Sequence, residues 1–241
     1  MLIDIHAHLT YEKFEKDIEE VINNFNGIVI TNGTNVEDNR KVLELCKKYS
    51  SVKFALGIYP GHVIEMTEEE LKKELKFIES KKPIAIGEVG LDGTYPEMEK
   101  QIFWLKEFIK LSNKLEIPII VHTRKAEEKI IDVLEEMKAK KVVLHCFNGS
   151  MKLVVRAEKL GYSFSIPVII TYLDHFKELV KKVSITKLFT ETDAPFLSNV
   201  KGERNEPKNV AITIKEIARL KNMDATEVEN SILMNYKRMF G

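Results

Sequence analysis

The sequence predicts an α/β fold, a TIM (β/α)8 barrel. Eight short β-branched runs alternate with longer segments of helical periodicity. The length, 241 residues, is close to the roughly 250 typical of that barrel. No Gly-rich phosphate loop follows the first run, which counts against a doubly wound open sheet, the main competitor among alternating β and α patterns. The eight strands are expected at Leu2–His6, Gly27–Thr31, Val52–Gly57, Pro83–Glu88, Ile117–His122, Lys141–His145, Gly161–Ile166 and Lys187–Glu191. Helices are expected around 12–25, 36–49, 67–80, 96–115, 125–139, 151–160 and 172–182, with two more, 208–221 and 225–238, after the last strand. Two have clear start signals. Thr67 lies three residues before Glu70, as in a capping box, and Asp224 precedes Ala-Thr-Glu.

No Ser/Gly-rich linker, repeat or charge block divides the chain, so residues 1–241 read as a single domain with ample length for a buried core. Lys plus Arg and Asp plus Glu number 37 each, a balance that argues against attachment to DNA or lipid by bulk electrostatics but permits a local anion site. Apolar runs such as Ile117 to Val121 fall far short of the roughly 18 residues needed to cross a bilayer, so no membrane partner is expected. Cys46 and Cys146 match no metal or disulfide framework and read as small buried apolar residues. The opening Met1-Leu2-Ile3-Asp4-Ile5-His6 reads as a strand rather than a basic-then-apolar leader, and the expectation is a cytoplasmic protein, monomeric by default.

The chemistry collects at the downstream ends of the strands. Side chains alternate along a strand, so Asp4, His6 and His8 share one face and Ile3, Ile5 and Ala7 the other. Two same-face imidazoles two residues apart can converge on one cation. Glu88 ends an apolar fourth strand, where a carboxylate is costly to bury unless paired or bound to metal. His122 ends the fifth strand, His145 the sixth, and Asp193 follows the eighth. Each alone reads equally as a structural hydrogen-bonding group, Asp193 as a helix N-cap. Their collection at one end of a barrel, where the catalytic face lies, is the signal. Six nitrogen and oxygen ligands without cysteine suit Zn, Mg, Mn, Co or Ni. Six exceed the three protein ligands of a mononuclear catalytic zinc, so two divalent ions sharing Glu88 as a bridge is the economical arrangement.

These residues lie in motifs that resemble the TatD family of metal-dependent deoxyribonucleases, within the amidohydrolase-like barrels. The motifs are Asp4-Ile5-His6-Ala7-His8-Leu9, Gly87-Glu88-Val89-Gly90-Leu91-Asp92, Val121-His122-Thr123-Arg124, His145-Cys146-Phe147-Asn148-Gly149-Ser150, Glu191-Thr192-Asp193-Ala194-Pro195-Phe196 and Asn205-Glu206-Pro207, in the family's order. The resemblance implies one ion on His6, His8, Glu88 and Asp193 and a second on Glu88, His122 and His145. It also implies a DNA or other phosphodiester substrate. The chain departs from the family's Gly-x-His-Pro-His segment after strand 3, reading Gly57-Ile58-Tyr59-Pro60-Gly61-His62, and lacks the usual aromatic pair after Asp92.

The expected reaction is in-line attack on phosphorus by a water acidified by one or both cations, with Asp193 as general base. Arg124 offers a bidentate fork for phosphate or, equally, a salt-bridge partner. Arg204 and Asn205, after strand 8, are weaker substrate-contact candidates. Asp4 and Asp92 are candidates for orienting the ligand histidines from behind or, equally, for a structural role in the mouth. Two other classes compete: an amidohydrolase or lactonase using the same centre on a C–N or C–O bond, and a non-enzymatic barrel that binds metal as a scaffold. A missing ligand would favour the last, and none is missing.

Overall fold

The computed structural model describes residues 1–241. Eight parallel strands follow one another around a single sheet in sequence order: β1 (Leu2–Ala7), β2 (Gly27–Asn32), β3 (Val52–Leu56), β4 (Ala85–Gly90), β5 (Ile119–His122), β6 (Val142–His145), β7 (Ser163–Ile166) and β8 (Leu188–Thr190). The first and last strands meet through the segment after β8. The Asp193 N–H donates to the His6 carbonyl at 2.8 Å and the His8 N–H to the Ala194 carbonyl at 2.7 Å. This closes the barrel and carries Asp193 alongside the two histidines of β1.

Ten helices surround the strands: α1 (Ile18–Asn23), α2 (Val36–Lys48), α3 (Pro60–Glu65), α4 (Glu68–Lys81), α5 (Met98–Leu115), α6 (Glu127–Glu136), α7 (Met151–Lys159), α8 (Asp174–Lys182), α9 (Val210–Lys221) and α10 (Ala225–Phe240). The expected starts are present. Thr67 and Glu70 form a reciprocal capping box on α4, and Asp224 with Glu227 does the same on α10. Such caps contribute about 1 kcal/mol each. Asn35 caps α2 by accepting from the Asp38 N–H at 2.9 Å.

The strands are buried on both faces, as a parallel barrel ringed by helices requires. One face of β1 places Ile3 and Ile5 in the main hydrophobic core, while Ala7 joins a smaller cluster with Phe14, Val21 and Phe25. Phe108, Phe147, Phe164, Phe176 and Phe189 are each at most 2% exposed, and burial of each such side chain contributes about 1.5–3 kcal/mol. Helix α10 packs Phe240 against Phe189 of β8, ring centroids 5.8 Å apart, and so supports the strand that precedes Asp193. Cys46 and Cys146 are free thiols, partly buried against the core. No helix is long and apolar enough to cross a membrane.

Three elements differ from the sequence expectation. The helix expected over 12–25 is a 3-10 turn at Glu12–Phe14 followed by the short α1. The helix expected from 172 begins at Asp174 and is preceded by a separate 3-10 turn, Val168–Thr171. Helix α3 has no counterpart in the expectation: its one turn and a half is too short for hydrophobic periodicity, and Pro60 at its first position reads equally well as a turn.

Candidate metal centre

Strand alternation and barrel closure bring the six expected side chains into one mouth. Glu88, two residues before the end of β4 and 4% exposed, sits among the four imidazoles. Its Oε2 lies 3.6 Å from His6 Nε2 and 3.5 Å from His8 Nε2; its Oε1 lies 2.9 Å from His122 Nδ1 and 3.9 Å from His145 Nε2. The Asp193 Oδ1 lies 3.5 Å from His6 Nε2 and 3.2 Å from His8 Nε2. Two glycines allow this approach. A Cβ on Gly57 would meet the Glu88 carbonyl at 2.6 Å, and one on Gly90 would meet the His122 carbonyl at 2.1 Å. Asp193 itself takes a left-handed backbone, φ 57°, which turns its carboxylate back over β1.

The ring nitrogens pointing away from the mouth are held by other groups. His8 Nδ1 pairs with the Asn32 carbonyl of β2 at 3.1 Å, so Nε2 faces the cluster. His122 Nε2 lies 3.1 Å from Asp92 Oδ2, leaving Nδ1 to face Glu88. His145 Nδ1 lies 2.8 Å from the buried Glu191 Oε2, leaving Nε2 inward. Such carboxylate and carbonyl contacts fix the tautomer and orientation of a ligating histidine. His6 is different: it is fully buried, yet neither ring nitrogen has a hydrogen-bond partner. A buried imidazole without partners is costly, and a cation at Nε2 would satisfy it. The residues therefore fit a metal. Two sets of potential ligand atoms cluster tightly enough to hold an ion: His6, His8 and Asp193, and His6, Glu88 and His145. His122 stands outside the second set and contacts Glu88 directly instead, whereas the family resemblance puts it on the second ion.

The electrostatics follow from this crowding. Burial opposes a charge on His8, but the Asp193 and Glu88 carboxylates outweigh it and push the imidazole up to about 9. Burial likewise opposes a charge on His145, and Glu191 drives it up to about 10. His6 is held below the ordinary histidine value by burial and by its neighbour His145, whose ring stacks on it at 3.7 Å between centroids. Burial works against the charged forms of Glu88 and Asp193, but the surrounding imidazoles keep both below the usual carboxylate range. With His8 and His145 protonated at neutral pH, a metal must displace protons from both. Metal affinity is accordingly expected to rise with pH up to the alkaline range. Calorimetric titration with Mn2+ in two buffers of different ionisation enthalpy checks this: net proton release at pH 7 is expected, and zero release would refute the assignment of these two rings.

Not every candidate reaches this mouth. Arg124 does: it is exposed there, with no carboxylate paired to it. Arg204 does not. Its guanidinium bonds both Asp17 oxygens at 2.7 and 2.8 Å, Glu206 at 2.8 Å and the Lys13 carbonyl at 2.7 Å, and it lies over the Phe14 ring. Two carboxylates within reach make it a clamp between the loops after β1 and β8, so the substrate contact expected of it is corrected. Asn205 is fully buried and donates to the Thr192 carbonyl at 2.7 Å, bracing the loop that carries Asp193 rather than facing solvent. Of the two aspartates expected to orient histidines, Asp92 contacts His122. Asp4 touches no imidazole: its carboxylate accepts from the Thr192 hydroxyl at 2.6 Å, the Thr192 N–H at 3.1 Å and the His6 N–H at 3.2 Å, tying β1 to the end of β8. Burial pushes Asp4 up to about 8 in spite of those bonds.

Two side chains were not expected in these roles. Glu191 is fully buried behind His145 and also accepts from the Ser165 hydroxyl, while its second oxygen has no partner. The available signal was its position two residues before Asp193, at the end of an apolar run. Tyr59, at the departure after strand 3, donates its hydroxyl to Asp92 Oδ2 at 2.6 Å and so buttresses the oxygen that holds His122. The phenol is pushed up by burial and by Asp92, so it remains a neutral donor. Glu191→Gln is expected to weaken Mn2+ binding about 10- to 100-fold while the chain stays folded, read by competition with a fluorescent chelator. Unaltered affinity would remove Glu191 from the centre's supporting shell. The displaced His62 is part-exposed at the rim beside Glu65, and His175 pairs with the Phe147 carbonyl at 2.9 Å, away from the cluster.

Comparison with known proteins shows the family and the fold. Residues 3–241 match the family described as TatD related DNase. An uncharacterized metal-dependent hydrolase of Methanocaldococcus jannaschii, MJ1582, is 34% identical over 99% of this chain and 96% of its own length. The human deoxyribonuclease TATDN3 is 32% identical over 99% of this chain and 94% of its own. Among solved structures, the TatD homologue YjjV of Escherichia coli superposes with a TM-score of 0.92 at 29% identity, covering 99% of this chain and 97% of that one. Matched from its first strand to its last helix, the chain belongs to the TatD-related DNase family.

Proposed function

We infer that this chain is a cytoplasmic, divalent-metal-dependent phosphodiesterase, a deoxyribonuclease acting at DNA ends, with a two-ion centre. The observation that carries the reading is the convergence of four imidazoles and two carboxylates in one barrel mouth, with both nitrogens of His6 buried and unpartnered. His6, His8, Glu88 and Asp193 would hold one ion and Glu88, His122 and His145 the other. Divalent ions held there would acidify a water and offset charge on the phosphoryl oxygens. The protein's part is positional. Asp193, kept ionised by the imidazoles around it, accepts the proton of the attacking water. Arg124, free of any carboxylate, binds non-bridging phosphate oxygens through its fork. Burial of His6, Glu88 and His145 limits bulk water at the reacting centre and strengthens each charge interaction there.

The zero net charge of the chain fits this reading, because divalent ions held in the mouth would supply the attraction for phosphate in place of a basic surface. The test is a substrate panel with Mg2+, Mn2+ or Zn2+: labelled single- and double-stranded DNA, bis-(p-nitrophenyl) phosphate, and a set of amides and lactones. Cleavage of the phosphodiesters, lost in Glu88→Ala and Asp193→Ala, is the expected outcome. Turnover of the amides or lactones alone would replace this reading with that of an amidohydrolase or lactonase.

A further inference from the structure

The mouth is larger than the metal cluster. It is a cavity of about 640 Å3 that continues from His8 across the loops after β1 and β2. Two aromatic rings stand exposed in this extension. Tyr11 is 39% and Phe196 40% exposed, and the rings pack edge to face at 5.2 Å between centroids. Phe196 also lies beside His8, ring centroids 6.0 Å apart. A third flat ring lying on this pair would therefore sit next to the cluster. Large aromatic side chains are left in water at a cost unless a ligand covers them.

The charges around the pair decide which part of a phosphodiester it takes. Glu12, Glu37 and Asp38 line the same side of the cavity, and its one nearby cation, Lys41, is paired with Glu37 at 2.8 Å. That acidic wall repels a further phosphate and tolerates an uncharged ring. Arg124, unpaired, follows β5, the strand facing β1 across the eight-stranded barrel. The cavity is thus polarised, with an aromatic, anion-repelling side and a side carrying a free guanidinium.

We propose that Tyr11 and Phe196 form the subsite for the nucleobase of the terminal nucleotide, its phosphate lying over the His6, His8, Glu88 and Asp193 cluster and the rest of the strand leaving on the Arg124 side. The proposal rests on the phosphodiesterase reading above and names its substrate more closely. Stacking accepts every base, so the subsite is tolerant of sequence. The acidic wall repels phosphates beyond that nucleotide, so the strand is favoured to leave on the Arg124 side.

The test compares two substrates with Mn2+-loaded protein: a thymidine dinucleotide, and the same sugar–phosphate–sugar unit with both bases replaced by hydrogen. The readout is the ratio of their kcat/KM values, which cancels any general loss of activity. The native chain is expected to favour the base-bearing substrate by at least about tenfold, mainly through KM. Tyr11→Ala combined with Phe196→Ala should bring the ratio close to one. Phe196→Leu, which keeps apolar bulk without a ring, should lose much of it, and Phe196→Tyr should retain it. A ratio near one in the native chain, or one unchanged in the double variant, overturns the subsite while leaving phosphodiester hydrolysis standing. Hydrolysis of neither substrate contradicts both.

Discussion

Glu88→Gln is expected to lower metal-dependent phosphodiester hydrolysis by about a thousandfold or more, roughly 4 kcal/mol of transition-state stabilisation. The substitution keeps the side chain's shape but removes the negative charge that faces all four imidazoles between 2.9 and 3.9 Å. No other carboxylate touches both the β1 histidines and His122, so no neighbour substitutes for it. Removing it leaves His8 and His122 crowded in a buried mouth with less compensation, and metal affinity falls together with activity. Kinetics with excess Mn2+, paired with metal analysis of the dialysed variant, checks both effects. Activity within tenfold of the native chain would show that Glu88 bridges nothing.

Asp193→Asn is the second large effect and separates the base from the ligand. Asparagine tolerates the left-handed backbone at φ 57°, so the loop is expected to keep its path, still anchored by the Asp193 N–H to His6 carbonyl bond. Asparagine can still offer an oxygen to the cluster but cannot take up a proton. The expected loss in kcat is about 100- to 10,000-fold, with a smaller change in KM. A p-nitrophenyl phosphodiester, whose leaving group needs no proton, isolates the attack step. A variant with unchanged kcat on that substrate would remove Asp193 from the role of base.

Much of this was legible in the sequence because the barrel writes its signals locally. Alternation of β-branched and helical segments marks the strands, and a polar residue ending an apolar run marks the catalytic face. His6, His8, Glu88, His122, His145 and Asp193 all carry that mark. Where sequence leaves a side chain's role open, partners distant in the chain decide it. Arg204 is drawn to Asp17, and Asp4 to Thr192, contacts spanning 187 and 188 positions. A basic residue near a mouth and an aspartate beside two histidines look the same in sequence whether they face ligand or brace a loop. Glu191 was hidden for the same reason: only the packing of β6 against β7 and β8 places His145 and Ser165 upon it. The exposed pair Tyr11 and Phe196 lies in two loops that barrel closure brings together, and neither loop has a periodicity to reveal it.

The most direct test of a metal-dependent, end-acting phosphodiesterase is to strip the protein with chelator and titrate Mn2+ back while following nucleotide release from end-labelled single-stranded DNA. The stripped chain is expected to release nothing. Activity should return along a saturating curve as the protein's metal content approaches two ions per chain, and the Glu88→Gln protein should not recover over the same range. Nucleotide release that survives stripping, or that returns equally in Glu88→Gln, would contradict the account.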